Sequence, residues 1–82
     1  MDITIYSTST CTYCHALSKW LDEQKIVYKK IVVDKDPGGM AEFMNVNDGA
    51  ISVPLTIIKD GSGNETKISG FDQGKFKQVL GL

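Results

Sequence analysis

Arginine is absent from this chain: all nine basic residues are lysines, interspersed with ten acidic ones, and the formal net charge is -1. Nucleic-acid recognition calls for a basic stripe or an arginine-rich face, and the longest basic run here is Lys29–Lys30, so that class of partner is excluded. No run of about 18 apolar residues exists, which excludes a membrane-spanning helix. The opening residues Asp2-Ile3-Thr4-Ile5-Tyr6 lack the basic and apolar regions of a secretory signal, so the expected location is cytoplasmic and reducing. Cysteine is equally scarce, with only Cys11 and Cys14. In a reducing compartment such a pair is a poor structural staple. Closing so short a loop also removes little chain entropy.

What is present fits one domain spanning residues 1–82. A chain this short buries only about two-thirds of the surface it exposes when unfolded, so its core is modest. A functional site must then sit at the edge of the core, on loops and element ends.

Ile3, Ile5 and Tyr6 form a β-prone run that ends in Ser7-Thr8-Ser9-Thr10. Tyr13, Cys14, Leu17, Trp20 and Leu21 then recur at helical spacing, with Thr10 or Ser9 as the expected N-cap. Ile26 to Val33 reads as a second strand. Asp36-Pro37 is a helix-start signal, with Met40, Phe43 and Met44 as its apolar stripe, although two glycines in the first turn weaken it. Asn45 to Ser52 reads as a loop. Pro54 opens a third strand, Leu55 to Ile58, where a strand proline is tolerated. Asp60 to Asn64 is a turn, Thr66-Lys67-Ile68 a fourth strand, and Asp72 caps a last helix facing inward through Phe76, Val79 and Leu80. The order β-α-β-α-β-β-α predicts an α/β fold with a mixed four-stranded sheet and helices packed on it.

Cys11-Thr12-Tyr13-Cys14 falls at the junction of the first strand and first helix. Residues i and i+3 in a helical turn have Cα atoms roughly 5–6 Å apart, within reach of a disulfide. Cys11 lies at or next to the cap, where unpaired N–H groups and the helix dipole stabilise a thiolate. Cys14, one turn deeper on the apolar stripe, stays protonated and shielded. The expected roles follow: Cys11 attacks a substrate disulfide and Cys14 resolves the mixed disulfide. Three other readings compete. Zinc wants four ligands, and the chain has no second cysteine pair and a single histidine, so no metal site is expected. Cys11 to His15 also fits the pattern for c-type haem attachment, with Met40 or Met44 as axial ligand. That chemistry goes with export, and no export signal is present. Two incidental buried thiols are the third reading, which the strand–helix junction disfavours.

Taken together, three features resemble the glutaredoxin family, over nearly the whole chain from Ile3 to Leu80. Cys11-Thr12-Tyr13-Cys14 is similar to the family's Cys-Pro-Tyr-Cys, Ser52-Val53-Pro54 to Thr-Val-Pro, and Ser69-Gly70-Phe71-Asp72 to Gly-Gly-x-Asp. The resemblance implies a thioredoxin-like fold and a thiol–disulfide oxidoreductase. It implies a cis Pro54 facing the cysteines and a Val53 backbone that pairs with an extended peptide or glutathione. It implies that the backbone N–H groups at Phe71 and Asp72 bind a γ-glutamyl carboxylate, with Gly70 in the same binding site. Tyr13 is expected beside the site in contact with substrate, His15 outward on the helix, and Trp20, Phe43, Met40 and Met44 in the core.

No tightly bound cofactor is expected, with glutathione as a co-substrate and disulfide-containing proteins as partners of a monomer. The departures bear on the electron source. Thr12 replaces the family's proline, Thr8 stands where glutathione-using members often carry lysine, and Ser69 replaces the first glycine. Ser69-Gly70-Phe71, the Ile3-Thr4-Ile5-Tyr6 start and Cys14-His15-Ala16 are also similar to the glutaredoxin-like hydrogen donors of ribonucleotide reductase, which thioredoxin reductase serves. Tyr13 and Asp72 lean towards glutaredoxins proper. A module binding glutathione and an iron–sulfur cluster is a further alternative, but members holding clusters tend to lack the counterpart of Cys14.

Overall fold

A computed structural model describes residues 2–47 and 53–81. The elements are β1 (Asp2–Ser7), α1 (Thr12–Glu23), β2 (Lys29–Val32), α2 (Pro37–Val46), β3 (Leu55–Lys59), β4 (Glu65–Ser69) and α3 (Gln73–Leu80). The expected order holds, and the strands form one mixed sheet, β2-β1-β3-β4. β1 pairs with β2 in parallel, whereas β1 with β3 and β3 with β4 are antiparallel. Tyr6 faces Leu55 across β1 and β3, and Leu55 faces Ser69 across β3 and β4. The ends of β1, β2 and β4 and the start of β3 therefore share one edge of the molecule.

Strand alternation sorts the apolar side chains onto two faces. Ile3, Ile5, Ile58 and Ile68 pack against Leu17 and Leu21 of α1 and Phe76 of α3. Tyr6, Ile31, Val33, Leu55 and Ile57 pack against Phe43 of α2. Helices cover both faces, so the central strand β3 is buried continuously from Leu55 to Ile58. Completely buried Phe76 contributes about 2–3 kcal/mol through burial alone. Gly39 explains a glycine that helix propensity disfavours: a Cβ there would collide with the Ile31 side chain, so its absence lets α2 lie close to β2.

Two expected boundaries are corrected. The second strand covers Lys29–Val32 and not Ile26 to Val33, because the chain ends α1 first. Lys25 takes a left-handed φ of 59°. Its N–H donates to the Asp22 carbonyl at 3.1 Å, and Ile26 N–H donates to the Leu21 carbonyl at 3.0 Å. This closes the helix with Ile26 turned onto the core, the usual hydrophobic companion of such an ending. Val27 is left almost fully exposed. Asn45 and Val46, expected in a loop, form the last turn of α2, and the Lys67 ammonium satisfies the Val46 carbonyl at 3.0 Å. Residues 48–52 of that expected loop, Ser52 among them, lie outside the described residues.

The core assignments need two adjustments. Met44 is 42% exposed, leaving Phe43 and the partly buried Met40 as the stripe of α2. Trp20 packs against the edge of the α1/α3 core and is partly buried. The turn between β3 and β4 is held by Asp60, whose carboxylate accepts from Ser62 N–H at 2.8 Å and Asn64 N–H at 3.0 Å. The Asn64 N–H and then that of Ser62 hold its carboxyl below the usual carboxylate range.

Candidate active site

The cysteine loop leaves the end of β1 and enters α1 within a few residues. Its N-cap is Cys11 itself, not Thr10 or Ser9: φ -82° and ψ 111° put Cys11 in extended geometry, and its sulfur accepts from Cys14 N–H at 3.1 Å. A thiolate here would keep that donor, and no acidic residue in the first turn offsets the positive potential of the helix N-terminus. Cys11 and Cys14 are joined as a disulfide with Cα atoms 5.2 Å apart, inside the spacing expected from a helical turn. Burial is unequal across the pair. Cys14 is completely buried, Cys11 is partly exposed, and Tyr13 between them is 71% exposed.

Val53 and Pro54 stand at the start of β3, on the edge where β1 ends. Their peptide bond is cis, Pro54 is buried and Val53 half-buried. The Pro54 carbonyl accepts from Gly70 N–H at 2.8 Å, which ties this corner to the end of β4. Gly70 has φ 78°, a left-handed conformation that suits glycine. Phe71 turns its ring onto Trp20, with centroids 6.0 Å apart, and packs partly buried against the α1/α3 core. Asp72 caps α3 by accepting from Lys75 N–H at 3.2 Å and is exposed. The register thus gathers the cysteine loop, Val53–Pro54 and Gly70–Asp72 at one end of the sheet.

Sequence reasoning overlooked a polar cluster beside Cys11. Ser9 donates its N–H at 3.1 Å and its hydroxyl to the carboxylate of Asp34, in the turn after β2. The Ser9 hydroxyl, ahead of its N–H, holds the Asp34 carboxyl below the usual carboxylate range. His15, expected to be an ordinary outward residue, sets Nε2 3.3 Å from the Ser9 carbonyl. The available signal was an aspartate placed just past a strand parallel to β1. Among the described residues, no three His, Cys, Asp or Glu side chains gather to hold a metal ion. Nor is any described helix long and apolar enough to cross a membrane.

Comparison with known proteins supports the geometry. The chain is 41% identical over 61 residues to mycoredoxin 1 of Corynebacterium glutamicum, covering 74% of this chain and 75% of that protein. It is 37% identical over 58 residues to the glutaredoxin-like protein NrdH of Lactococcus lactis subsp. cremoris, covering 71% and 76% respectively. Among solved structures, the glutaredoxin-like NrdH-redoxin from Escherichia coli, described as having a thioredoxin-like activity profile, superposes with a TM-score of 0.74. That match has 26% identity and covers 96% of this chain and 95% of the other. The thioredoxin-like fold expected from the sequence is therefore the fold of the molecule. Residues 3–62 match the family model for glutaredoxin, and with the Cys11–Cys14 pair in place the chain belongs to the glutaredoxin family of thiol–disulfide oxidoreductases.

Proposed function

We propose that the protein reduces protein or glutathione mixed disulfides by dithiol exchange, with Cys11 attacking and Cys14 resolving. The observation that carries this reading is the unequal burial of a cysteine pair whose outer member caps a helix. In the first step the Cys11 thiolate attacks one sulfur of the substrate disulfide. A mixed disulfide forms, and the other substrate sulfur leaves as a thiolate that takes up a proton. Cys14 then gives up its proton and attacks the Cys11 sulfur. The second substrate thiolate departs, and the Cys11–Cys14 disulfide holds the two-electron oxidation.

Tyr13, Val53, Pro54, Gly70, Phe71 and Asp72 form the substrate rim in this reading. The half-buried Val53 offers backbone groups to an extended peptide or glutathione, as in strand addition. The backbone N–H groups at Phe71 and Asp72, beside the start of α3, are in this reading the donors to a substrate carboxylate. Cys11→Ser is expected to abolish disulfide reduction, whereas Cys14→Ser accumulates a mixed disulfide visible by mass spectrometry. Full activity in Cys11→Ser would falsify the assignment.

A second reading concerns the electron source and is favoured by the NrdH relatives together with Thr8 and Ser69. In it the protein is a hydrogen donor to ribonucleotide reductase, recharged by thioredoxin reductase. A coupled assay separates the two. NADPH oxidation with glutathione and its reductase supports the first reading, and oxidation with thioredoxin reductase alone supports the second.

A further inference from the structure

The polar cluster beside the cysteine loop takes no part in the exchange step, yet it fixes where that loop lies. Parallel pairing ends β1 and β2 at the same edge. Val33 N–H still donates to the Ser7 carbonyl at 2.8 Å, so the two exits separate only beyond that rung. The chain then turns sharply after β2, with Lys35 N–H donating to the Val32 carbonyl at 3.1 Å, and this turn carries Asp34. Every polar group of Ser9 is engaged: its N–H and hydroxyl by Asp34, its carbonyl by His15 Nε2. An exposed serine needs no such partners, because water serves all three groups. Fixing them sets the path of the loop. Next in line, the Thr8 carbonyl accepts Cys11 N–H at 3.3 Å, and the Cys11 carbonyl accepts His15 N–H at 3.2 Å.

We propose that Asp34 is a positioning residue for the attacking cysteine: by gripping Ser9 it holds the Thr8–Cys11 loop so that Cys11 caps α1 with its sulfur on Cys14 N–H. The inference rests on the reading of Cys11 as the attacking thiolate. Two effects of Asp34 on that thiolate have opposite signs. Releasing the loop costs the thiolate its N–H donor and its place at the helix end, which raises the Cys11 pKa. Removing a nearby negative charge lowers it. The other titratable groups at this edge are Tyr13 and His15 on α1, Lys35 beside Asp34, Asp36 at the start of α2, Asp72 at the start of α3, and the reduced Cys14 thiol. All of these stay in place in the variants below.

The test is the pH dependence of Cys11 alkylation by iodoacetamide in the reduced protein, with the labelled residue located by mass spectrometry. Asp34→Ala is expected to move the midpoint upward and to slow labelling at pH 7 about three- to tenfold, the effect of losing a hydrogen-bonded brace. Asp34→Asn removes the charge while its amide oxygen still accepts from Ser9 N–H and its NH2 donates to a Ser9 hydroxyl turned round to accept, so its midpoint stays at or below that of the wild type. Ser9→Ala keeps the N–H bond and shifts the midpoint upward by less than Asp34→Ala; it carries the test if Asp34→Ala melts early. An unchanged or lowered midpoint in both alanine variants overturns the proposal. Labelling of Cys14 before Cys11 in the wild type overturns the role assignment instead, and that shows before any variant is compared.

Discussion

At the scale of single residues, Tyr6 is the buried polar group with the clearest energetic consequence. Its ring lies against Phe43 with centroids 5.6 Å apart, and its hydroxyl donates to the Glu42 carboxylate at 2.9 Å. Burial first, and then Glu42, push its pKa up to about 12. In the unfolded chain the phenol ionises near 10. The folded state thus holds this proton more tightly, so the contribution is complete below about pH 10 and is lost as pH rises towards 12. A shift of about two units corresponds to up to about 3 kcal/mol. Denaturant titrations of the wild type should lose stability across that window, and Tyr6→Phe should lack this component; equal losses in both proteins would contradict the account. The placement of Cys11 and Cys14 at the start of α1 was legible because the cysteine spacing carries its own geometry. The cap was less so. Ser9, Thr10 and Cys11 are consecutive candidates, and which one caps depends on where the β1–β2 pairing stops, a fact set by Val33 and invisible locally. The Asp34–Ser9 grip has the same origin, since it joins two loops that only the sheet brings together.

At the scale of elements, the end of α1 is the place where local sequence and local conformation disagree. The left-handed position is usually glycine, and here it is Lys25. A side chain in that conformation costs roughly 1–2 kcal/mol. Glycine would relieve this but would gain freedom in the unfolded chain, returning about 0.5–1 kcal/mol. Lys25→Gly should therefore raise the melting temperature by a few degrees, a net gain of about 0.5–1 kcal/mol in a domain of this size. A lower melting temperature in that variant would show the position to be unstrained. The missing glycine also explains why the second strand could not be bounded from the sequence. Ile26 to Val33 is apolar and mostly β-branched apart from Lys29 and Lys30, and nothing in it marks the helix ending that takes its first residue. By contrast, Asp36-Pro37 and Asp72 announced their helices by side chains that act locally, and both cap as expected.

At the scale of the whole molecule, element order and sheet type were legible because they follow from chain-wide rules: a parallel crossover, then a hairpin, then a covering helix. What the sequence left open was how the layers meet, such as the close approach at Gly39 or the reach of Lys67 to Val46. The finished sheet is not uniform in protection. β1 and β3 are central and largely buried, whereas β2 and β4 are edges with at least half of their residues exposed. Native-state hydrogen exchange should be slowest in β1 and β3 and faster in β2 and β4, because opening at an edge exposes less of the core. Slower exchange in β4 than in β1 would reverse that hierarchy. The bond from Gly70 N–H to the Pro54 carbonyl has one more consequence. It makes that corner the last rung of the β3–β4 ladder and not a loop laid over a finished sheet. The cysteine loop and this rung share an edge only when β1, β3 and β4 are in register. The rim beside the cysteines is therefore assembled by strand pairing and is missing from any chain in which these three strands have not yet paired, although its cysteines are already present.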